Sequence, residues 1–501
     1  MSHDDLRPLV SGDYDLYGDE EQKFGILGDS ASVLVTAKAS DGASRALDKV
    51  SVRRQIWATL GFCLGGFAMG NTLGWSSTAL PELESSTSPI LVSQSDGAFI
   101  GALVCLGALF QGPTTGYLMV RFGRRATMIL NCVPLIGGWM LIISAKSVWM
   151  LFLGRFVTGF AIGSFSVIAP VYIGEIASPG IRGALGTCFQ MMVVFGIFVM
   201  FVVGAYVSWK SLAIFSVGTT LVLILVVYSL QDSPTSYMMR SRPDLARKAL
   251  VWLRNSADIE EEIYAIQKSV HDMRQNGNGR IRMFNIFFIK DPTVRKPLFL
   301  CMFLAMSQQL SGINAVMTFT VSIFQSSGAS VDPNTATIII GGIQLVSTLL
   351  SSFTVNRVGR KTTLIVTLAI MALSLISFGT FFYLNQNRIS TSVNLGWLPL
   401  LSLGLFIISF SFGPGPLVWL MLGELLSPKI VGVAGGVASI TTWGLAFSVT
   451  LGFPFMVKYL GDFGTYWLFS VFCIVSVLVV IRYLPETRNK TLREIQDSFT
   501  K

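Results

Sequence analysis

The sequence contains little charge and almost no histidine. Asp, Glu, Lys and Arg make up 13% of its 501 residues, and His3 and His271 are its only histidines. None of the long apolar stretches described below carries an Asp, Glu or His at the depth of a membrane's hydrocarbon core. An enzyme that acts within a membrane needs paired carboxylates, histidines or an activated nucleophile at that depth. We therefore predict that the protein is not an enzyme and uses no cofactor or metal.

The amino-terminal region lacks an apolar segment. The first 50 residues are polar and rich in Asp, Gly and Ser, and no hydrophobic run precedes Ile56. A cleavable signal peptide requires such a run, so none is predicted. Residues 1–52 are expected to form a disordered amino-terminal segment in the cytoplasm. The six cysteines all fall within the apolar stretches, which argues against a disulfide framework.

Hydrophobic residues are abundant in the rest of the chain. They make up 52% of the sequence, whose mean hydropathy of +0.62 is too high for a soluble protein of this length. A helix of about 20 apolar residues crosses a hydrocarbon core about 30 Å thick. We find twelve such stretches, which predict an all-α protein with twelve transmembrane helices in a lipid bilayer. They begin near Trp57, Gly97, Ala126, Val148, Ala184, Trp209, Pro297, Ala336, Thr362, Trp397, Ile430 and Phe463.

The distribution of basic residues predicts the orientation in the membrane. Of the 37 Lys and Arg residues, only Lys146, Lys210, Arg388 and Lys458 fall in loops that we assign to the outside. Short loops rich in Lys and Arg stay in the cytoplasm, so both termini are predicted to be cytoplasmic. The net charge of +9 follows from this bias and from contact with anionic lipid. Nucleic acid is therefore not predicted as a partner.

The predicted spans form two groups of six. A charged stretch at residues 231–296 separates them and contains two amphipathic helical patterns, DLARKALVWLRN and IEEEIYAIQKSV. We predict a first six-helix half at residues 53–230 and a cytoplasmic helical linker at 231–296. The second half follows at 297–484, and a cytoplasmic tail at 485–501.

Two motifs recur at matching places in the two halves. RFGRR (121–125) after the second span recurs as RVGRK (357–361) after the eighth. GEIASPGIRG (174–183) after the fourth span recurs as GELLSPKIVG (423–432) after the tenth. Parallel six-helix repeats are typical of transporters whose substrate binds near the midplane, between the two halves.

Polar residues occur inside the seventh span, in QQLSGIN (308–314). On a straight helix with about 100° between successive residues, the two glutamines, the serine and the asparagine would spread over an arc of about 220°. Either polar partners surround this span, or the helix is interrupted at Ser311–Gly312 and both segments line a cavity. In a cavity, a glutamine offers two donors and an acceptor to a ligand covered with hydroxyls. The alternative is that the amides hydrogen-bond to neighbouring helices.

The tenth span is broken in a similar way by GPGP (413–416), and Trp419 follows one turn later. An indole can cover the apolar face of a sugar ring and donate one hydrogen bond to it. A tryptophan in a span also serves as an anchor at the membrane interface. The two interrupted spans together favour a substrate cavity.

The motifs together resemble those of the sugar porters of the major facilitator superfamily. The resemblance covers about residues 53–496, and GWSSTALP (74–81) and Gln344 are most similar to intracellular-type facilitative glucose transporters and insect facilitated trehalose transporters. It implies two six-helix halves, alternating access and a sugar as the small-molecule substrate, with no obligatory protein partner. The further motifs that carry it are GRFVTG (154–159), GPGPLVW (413–419) and PETRNKTL (485–492).

The resemblance also implies which residues bind the substrate. Seven residues of this sequence match positions of the family that lie at the sugar. Six of these family positions contact the sugar, and the position that matches Trp443 lines the pathway of the sugar. Some positions depart from the glucose carriers: Thr318 and Phe319 replace two tyrosines, Ser411 replaces a glutamate and Thr442 replaces an asparagine. These changes remove bulk or polarity and favour trehalose over glucose. The implied substrate-binding residues are Gln190, Gln308, Gln309, Asn314, Gln344, Trp419 and Trp443.

The repeated loop motifs supply charges that can control opening. We predict that these charges pair to hold the halves together in the outward-open state, so that their strength sets a conformational equilibrium. The alternative is a set of static surface ion pairs worth at most about 1 kcal/mol each. In the second half, Val431 occupies the position of the basic residue expected to pair with Glu424, and Lys429 is the nearest substitute. The predicted gating residues are Arg121, Arg124, Arg125, Glu175, Arg182, Arg357, Arg360 and Glu424.

The fourth span carries a single arginine, Arg155. In proton-coupled relatives an aspartate in the first span lies opposite this arginine, whereas here the matching position is Ser76. We therefore predict a facilitative transporter that moves trehalose, glucose or both without proton coupling. The alternatives are a proton-coupled sugar symporter and a non-transporting sugar sensor, although a sensor would be expected to carry a long cytoplasmic tail. The plasma membrane is the predicted location, with an endosomal or lysosomal membrane as the alternative.

Overall fold

The structure is a computed structural model in which all the regular elements described are helices. Side chains are not described for residues 30–48, 113, 274–275, 292–294 and 428–433. The residues that the structure describes are 30–275, 292–328, 330–354, 358–387, 395–426, 428–488, 490, 494–495 and 499.

Six spans form the first half. The bent pair α2 and α3 meets at an angle of 51° and makes up one of them. The candidate span within α1 is Lys49–Leu83. Helix α1 itself begins at Ser30, inside the segment that was predicted to be disordered. Residues 1–29 of that segment lie outside the described residues. The helices of this half are α1 (Ser30–Leu83), α2 (Gln94–Phe110), α3 (Gly112–Phe122), α4 (Arg124–Ile143), α5 (Val148–Ile176), α6 (Arg182–Gly204) and α7 (Trp209–Ser229).

Three shorter helices follow in the linker. Two of them, α9 and α10, coincide with the two amphipathic patterns of the sequence. They are α8 (Pro234–Met239), α9 (Pro243–Arg254) and α10 (Glu260–Gln275).

The second half contains two interrupted spans and one very long helix. The segments α11 to α13 form the first interrupted span, and α16 with α17 forms the other. Non-helical backbone at Gly461 divides α18, whose apolar segment of 50 residues is long enough for two spans. The helices are α11 (Pro292–Leu310), α12 (Ile313–Thr318), α13 (Thr320–Ser327), α14 (Pro333–Thr354), α15 (Arg360–Gln386), α16 (Leu398–Phe412), α17 (Pro414–Leu425) and α18 (Pro428–Tyr483).

The predicted twelve-helix fold is confirmed. Ten helices among the described residues are long and apolar enough to cross a membrane, and the bent pair α2–α3 is an eleventh span. The division of α18 at Gly461 supplies the twelfth.

The linker helices define one end of the bundle. Helix α8 packs against α3 and α5, Arg240 Nη1 donates to the carbonyl oxygen of Phe122 at 2.8 Å, and Arg254 Nη1 donates to that of Ile176 at 2.9 Å. We call this end of the bundle the linker end and the opposite end the distal end. The repeated RFGRR and RVGRK motifs follow spans that finish at the linker end.

The two halves meet closely toward the distal end. Helix α2 packs against α18, and α6 packs against α14. A Cβ atom on Gly101 would lie 2.9 Å from Thr318 Cγ2 across this interface, so only glycine allows the approach. The backbone N–H of Val321 donates to Ser77 Oγ at 3.4 Å, which also joins the two halves.

The linker end of the same interface is more open. Helix α6 exposes Arg182 and Gln190 there, and Cβ atoms on Gly183 and Gly186 would meet no atom within 4 Å. Among the described residues, α6 is therefore packed less tightly toward the linker end than the contacts between the halves are toward the distal end.

Candidate functional site

The seventh span is interrupted where its polar residues occur. Gly312 adopts φ +83°, and a Cβ atom there would lie 2.5 Å from Phe469 Cδ2. Both the left-handed backbone and the lack of space require glycine. Ser311 Oγ donates to the carbonyl oxygen of Gln308 at 2.7 Å, close to the end of α11. Of the two alternatives that the sequence left open, the structure has the interrupted helix.

Three amides around this interruption form a chain of hydrogen bonds. Asn314 Nδ2 donates to Gln309 Oε1, and Gln309 Nε2 donates to Gln308 Oε1 at 3.2 Å. Gln308 Nε2 then donates to the carbonyl oxygen of Pro414 at 2.8 Å. The two glutamines are buried, whereas Asn314 is half-buried at the open end of the chain. The chain fixes the amides in one orientation and leaves the Asn314 carbonyl oxygen without a protein donor among the described residues.

The same chain connects the two interrupted spans. Helix α16 ends at Phe412 and α17 begins at Pro414, with Gly413 at φ −110° and ψ −103° between them. Proline cannot donate a backbone hydrogen bond, so GPGP weakens the regular helical pattern at this depth. Gln308 reaches across to the backbone of this break. The interruptions predicted separately in the seventh and tenth spans therefore belong to one polar region.

Several buried polar atoms of the second half have no hydrogen-bond partner among the residues that the structure describes. Gln344 Oε1 on α14, Ser411 Oγ on α16 and Thr442 Oγ1 on α18 are such atoms. A buried polar group without a partner costs about 1–3 kcal/mol, and a ligand or an ordered water can remove that cost. Two of these residues, Ser411 and Thr442, are positions at which the sequence departs from the glucose carriers.

The remaining predicted binding residues lie on three helices. Gln190 on α6 is exposed, Trp419 on α17 is 45% exposed and Trp443 on α18 is half-buried. No hydrogen bond joins Gln190 to the amide chain among the described residues. All seven predicted binding residues are uncharged, which suits a neutral, polar ligand.

Arg155 in the first half is fully buried, with 0% exposure. Its Nη2 donates to Ser76 Oγ at 2.6 Å, and its Nη1 donates to the carbonyl oxygen of Thr72 at 2.9 Å. The guanidinium carbon lies 5.1 Å from the ring centre of Trp75. Within the described part of the chain, Arg155 has no carboxylate partner. Its Nε donates to the carbonyl oxygen of Ile100 at 3.1 Å. The hydrogen-bond partners of this charge are thus one hydroxyl and two carbonyls, which do not titrate in the physiological range.

The first half carries a compact cluster of charges at the linker end. Arg124 Nη2 lies 2.5 Å from Glu175 Oε1, and Ser233 Oγ donates to the other carboxylate oxygen of Glu175. Asp232 Oδ1 accepts from the backbone N–H groups of Arg124 at 3.1 Å and Arg125 at 3.3 Å. Asp232 therefore caps the start of α4.

The second half repeats this cluster with other residues. Arg360 Nη2 lies 3.3 Å from Glu424 Oε1, and Thr487 Oγ1 donates to Glu424 Oε2 at 2.5 Å. Glu486 accepts from the backbone N–H groups of Arg360 at 2.8 Å and Lys361 at 3.2 Å. Each half thus contains an arginine, a glutamate, a hydroxyl and a capping carboxylate in equivalent places.

Sequence reasoning missed four members of these clusters. They belong to a third repeated motif, because QDSP and PETR each follow the sixth span of a half. Pairing these two segments with each other would have found them. The missed residues are Asp232, Ser233, Glu486 and Thr487.

The predicted gating residues of the first half have the following partners in this conformation, and their role in gating stays a prediction. Glu175 pairs with Arg124, whereas Arg182 Nη2 donates to the carbonyl oxygen of Ala177 at 3.2 Å. Arg125 donates to the carbonyl oxygen of Tyr228, and Arg121 lies over the ring of Phe122. The described ion pairs of both clusters stay within one half and so do not connect the halves in this conformation. Arg357 and the side chains of Lys429 and Val431 lie outside the description.

The chain matches the family described as "Sugar (and other) transporter" over residues 58–499. It is 36% identical over 451 residues to the facilitated trehalose transporter Tret1 of Polypedilum vanderplanki, across 89% of this chain and 88% of that protein. It is also 36% identical over 449 residues to Tret1 of Apis mellifera ligustica, with the same coverage. Among solved structures, a partially occluded inward-open conformation of the xylose transporter XylE from E. coli matches 88% of this chain and 100% of that chain, with a TM-score of 0.74 and 24% identity. At that identity, the likeness to XylE concerns the fold alone.

Proposed function

The chain belongs to the sugar transporter family and is a facilitative sugar transporter rather than an enzyme, and we propose that it carries trehalose, and also glucose, by alternating access. Its relatives named facilitated trehalose transporters support trehalose as the disaccharide. The looser packing of α6 toward the linker end and the close contacts toward the distal end fit one of the two states that alternating access requires.

The observation that carries the proposal is the amide chain together with the unpartnered buried polar atoms of the same half. A sugar hydroxyl can donate to Asn314 Oδ1 or Gln344 Oε1 and can accept from a side-chain hydroxyl such as that of Thr442. Sugar binding would therefore satisfy groups that otherwise have no partner. Gln190 contributes from the opposite half once the two halves approach around the sugar.

Alternating access also requires a second state that is open at the distal end, and in that state the distal contacts between the halves must separate. In our proposal, the Gly101–Thr318 approach and the Val321–Ser77 hydrogen bond open as the linker end closes. The clusters around Glu175 and Glu424 then act by holding the ends of the helices in fixed positions within each half. Arg182, which is exposed in this conformation, is free to take part in contacts between the halves.

The proposed topology places the linker end in the cytoplasm. The support is the concentration of Lys and Arg at that end, since short basic loops are retained there. The plasma membrane is the proposed location. An inserted epitope tag that reacts in intact cells when placed after Gly204, but not after Arg254, tests the topology.

The substrate is tested with purified protein in proteoliposomes. We expect labelled trehalose and labelled glucose both to equilibrate with saturable kinetics, and unlabelled trehalose to slow glucose entry by competition for one site. Entry of glucose with exclusion of trehalose would contradict the disaccharide part of the proposal. Entry of neither sugar, with protein correctly folded by its thermal unfolding curve, would contradict the proposed substrates.

A further inference from the structure

A groove lies at the linker end between the first span and helix α9, away from the polar region between the halves. Its volume is about 630 Å³. Three of the residues that line it are cationic, namely Arg54, Arg247 and Lys248, and none of its described lining residues is acidic. We call it the basic groove.

Hydrogen bonds fix the wall that α1 contributes. Ser51 Oγ donates to the carbonyl oxygen of Leu253 at 2.8 Å, and Arg54 Nη1 donates to that of Trp252 at 2.7 Å. Both carbonyls belong to the last turn of α9 and have no partner within the helix. The guanidinium of Arg54 also lies 5.7 Å from the Trp252 ring centre. Arg54 is therefore held in position, with further N–H groups available to a ligand.

The two cations of α9 are only weakly neutralised. Lys248 is exposed and has no ion pair or hydrogen bond among the described residues. Arg247 pairs with Glu260, but their side chains are 57% and 61% exposed, so water and salt weaken that pair. The groove thus has a positive potential. Arginine and lysine are the residues that bind phosphate groups most often.

The size of the groove selects among phosphate-bearing ligands. A volume of this size lies within the range of about 300–1,000 Å³ that holds small organic molecules. Three cations balance more than the single charge of a simple anion. A headgroup that carries more than one phosphate matches both the volume and the charge.

The position of the groove relates it to the membrane. Trp57 is 55% exposed and Leu60 is 43% exposed, although both belong to the first span. Exposed apolar side chains on a span face lipid, and tryptophan is enriched at the interface. Trp57 lies three residues from Arg54, which is about 4.5 Å along a helix axis. The basic groove is therefore at the depth of lipid phosphates, with an apolar surface for acyl chains beside it.

We propose that the basic groove binds the headgroup of an anionic membrane lipid that carries more than one phosphate. Such a lipid would tie α9 to the first span and so connect the linker to the first half. This site is separate from sugar binding, and the amide chain takes no part in it.

The test measures binding to the full-length protein purified in detergent. The probe is dioctanoyl phosphatidylinositol 4,5-bisphosphate, with dioctanoyl phosphatidylcholine as the uncharged-headgroup control and inositol 1,4,5-trisphosphate as the same headgroup chemistry without acyl chains. Lys248→Gln removes one cation of the groove. Lys268→Gln, on the exposed surface of α10, removes one cation from elsewhere in the linker and serves as the matched control.

We expect saturable binding of the bisphosphate lipid and none of phosphatidylcholine. Lys248→Gln should weaken the lipid's affinity about five-fold, as expected for one cation near a membrane surface, while Lys268→Gln leaves it unchanged. Both variants should retain the thermal unfolding temperature of the parent. Equal weakening by both variants, or no saturable binding, would overturn the proposal. Binding of inositol trisphosphate as tight as that of the lipid would also overturn it, because the site would then serve a soluble polyphosphate.

Discussion

The linker-end clusters of the two halves have the same plan but differ in burial and in ion pairing. In the first half, Arg124 and Glu175 are 6% and 15% exposed and 2.5 Å apart, whereas Arg360 and Glu424 of the second half are 11% and 25% exposed and 3.3 Å apart. The first cluster includes the ion pair between Asp232 and Arg240, which lie 2.6 Å apart. The repeat has therefore kept the geometry of the cluster while its strength has diverged.

The Asp232–Arg240 ion pair lies within the linker. Asp232 is 4% exposed and lies 2.6 Å from Arg240, while it also accepts from the backbone of α4 in the first half. The linker is thus attached to the first half through Asp232 and through Arg240, which donates to the carbonyl oxygen of Phe122, and α9 is attached to the first span through Arg54. The first half and the linker form one tightly connected unit, so changes to its charges should affect stability most.

The polar region shows the opposite asymmetry. The amide chain of Gln308, Gln309 and Asn314 belongs to the second half, as do the unpartnered oxygens of Gln344 and Thr442. In our proposal, the second half supplies most of the recognition of the sugar. Changes there should affect binding more than stability.

Glu175→Gln should give the largest effect. It leaves Arg124 buried with no full charge opposite it, and the loss of one partner from a buried pair costs about 3 kcal/mol or more. The matched variant Glu424→Gln should cost only about 1 kcal/mol, because its pair is longer and more exposed. Denaturant unfolding of the detergent-purified proteins measures both. Equal losses of unfolding free energy in the two variants would contradict the expectation that the ion pair of the first cluster is the stronger.

Asp232→Asn should have the next largest effect on stability. The amide keeps an oxygen for the backbone N–H groups of α4 but loses the ion pair with Arg240, at a cost of about 2 kcal/mol. Glu486→Gln tests the equivalent cap of the second half, where only the charge at a helix start is lost, at about 0.5–1 kcal/mol. The same unfolding measurement applies. A larger loss for Glu486→Gln would reverse the comparison of the two halves.

Asn314→Ala should weaken sugar binding with little loss of stability. It removes the open end of the amide chain and leaves Gln309 Oε1 without its donor, at a cost of about 1–1.4 kcal/mol, or five- to ten-fold in affinity. Gln190→Ala, in the first half, should weaken binding less because its side chain is exposed. Equilibrium binding of labelled sugar to purified protein measures both. An Asn314→Ala protein that unfolds readily yet binds sugar normally would show that the amides only connect helices.

Arg182→Ala should have the smallest effect of this series. The side chain is exposed and bonds only a backbone carbonyl, so the unfolding temperature should not change. Its loss should lower turnover about two-fold, as expected from one exposed ion pair worth about 0.4 kcal/mol in the state with a closed linker end. Reactivity of a cysteine placed at Gly186 reports how often that end is open. Unchanged reactivity and turnover would leave Arg182 with no part in gating.

The interruptions of the seventh and tenth spans were predictable because local residues cause them. Glycine, proline and buried amides in an apolar helix conflict with regular helical geometry, so QQLSGIN and GPGP indicate the breaks directly. The contact between Arg155 and Ser76 was also anticipated, but only through the resemblance to known transporters. These features depend on one or two positions in the sequence.

The ion-pair partners were not predictable from spacing. Arg182 follows Glu175 by seven residues, which is two turns of a continuous helix, but α5 ends at Ile176 and α6 begins at Arg182. The spacing therefore has no helical meaning. The caps Asp232 and Glu486 reach their helices from more than 100 residues away in the chain. The basic groove likewise depends on how α9 packs against the first span, which no local pattern indicates.

We expect sugar to move without a coupled proton, because the partners of the buried Arg155 include the hydroxyl of Ser76 and no carboxylate among the described residues. The most direct test loads proteoliposomes with labelled trehalose on both sides and imposes a pH gradient of about two units. We expect the concentrations inside and outside to remain equal, and the Ser76→Ala protein to behave in the same way. Accumulation of trehalose on the alkaline side, abolished by a protonophore, would contradict the claim.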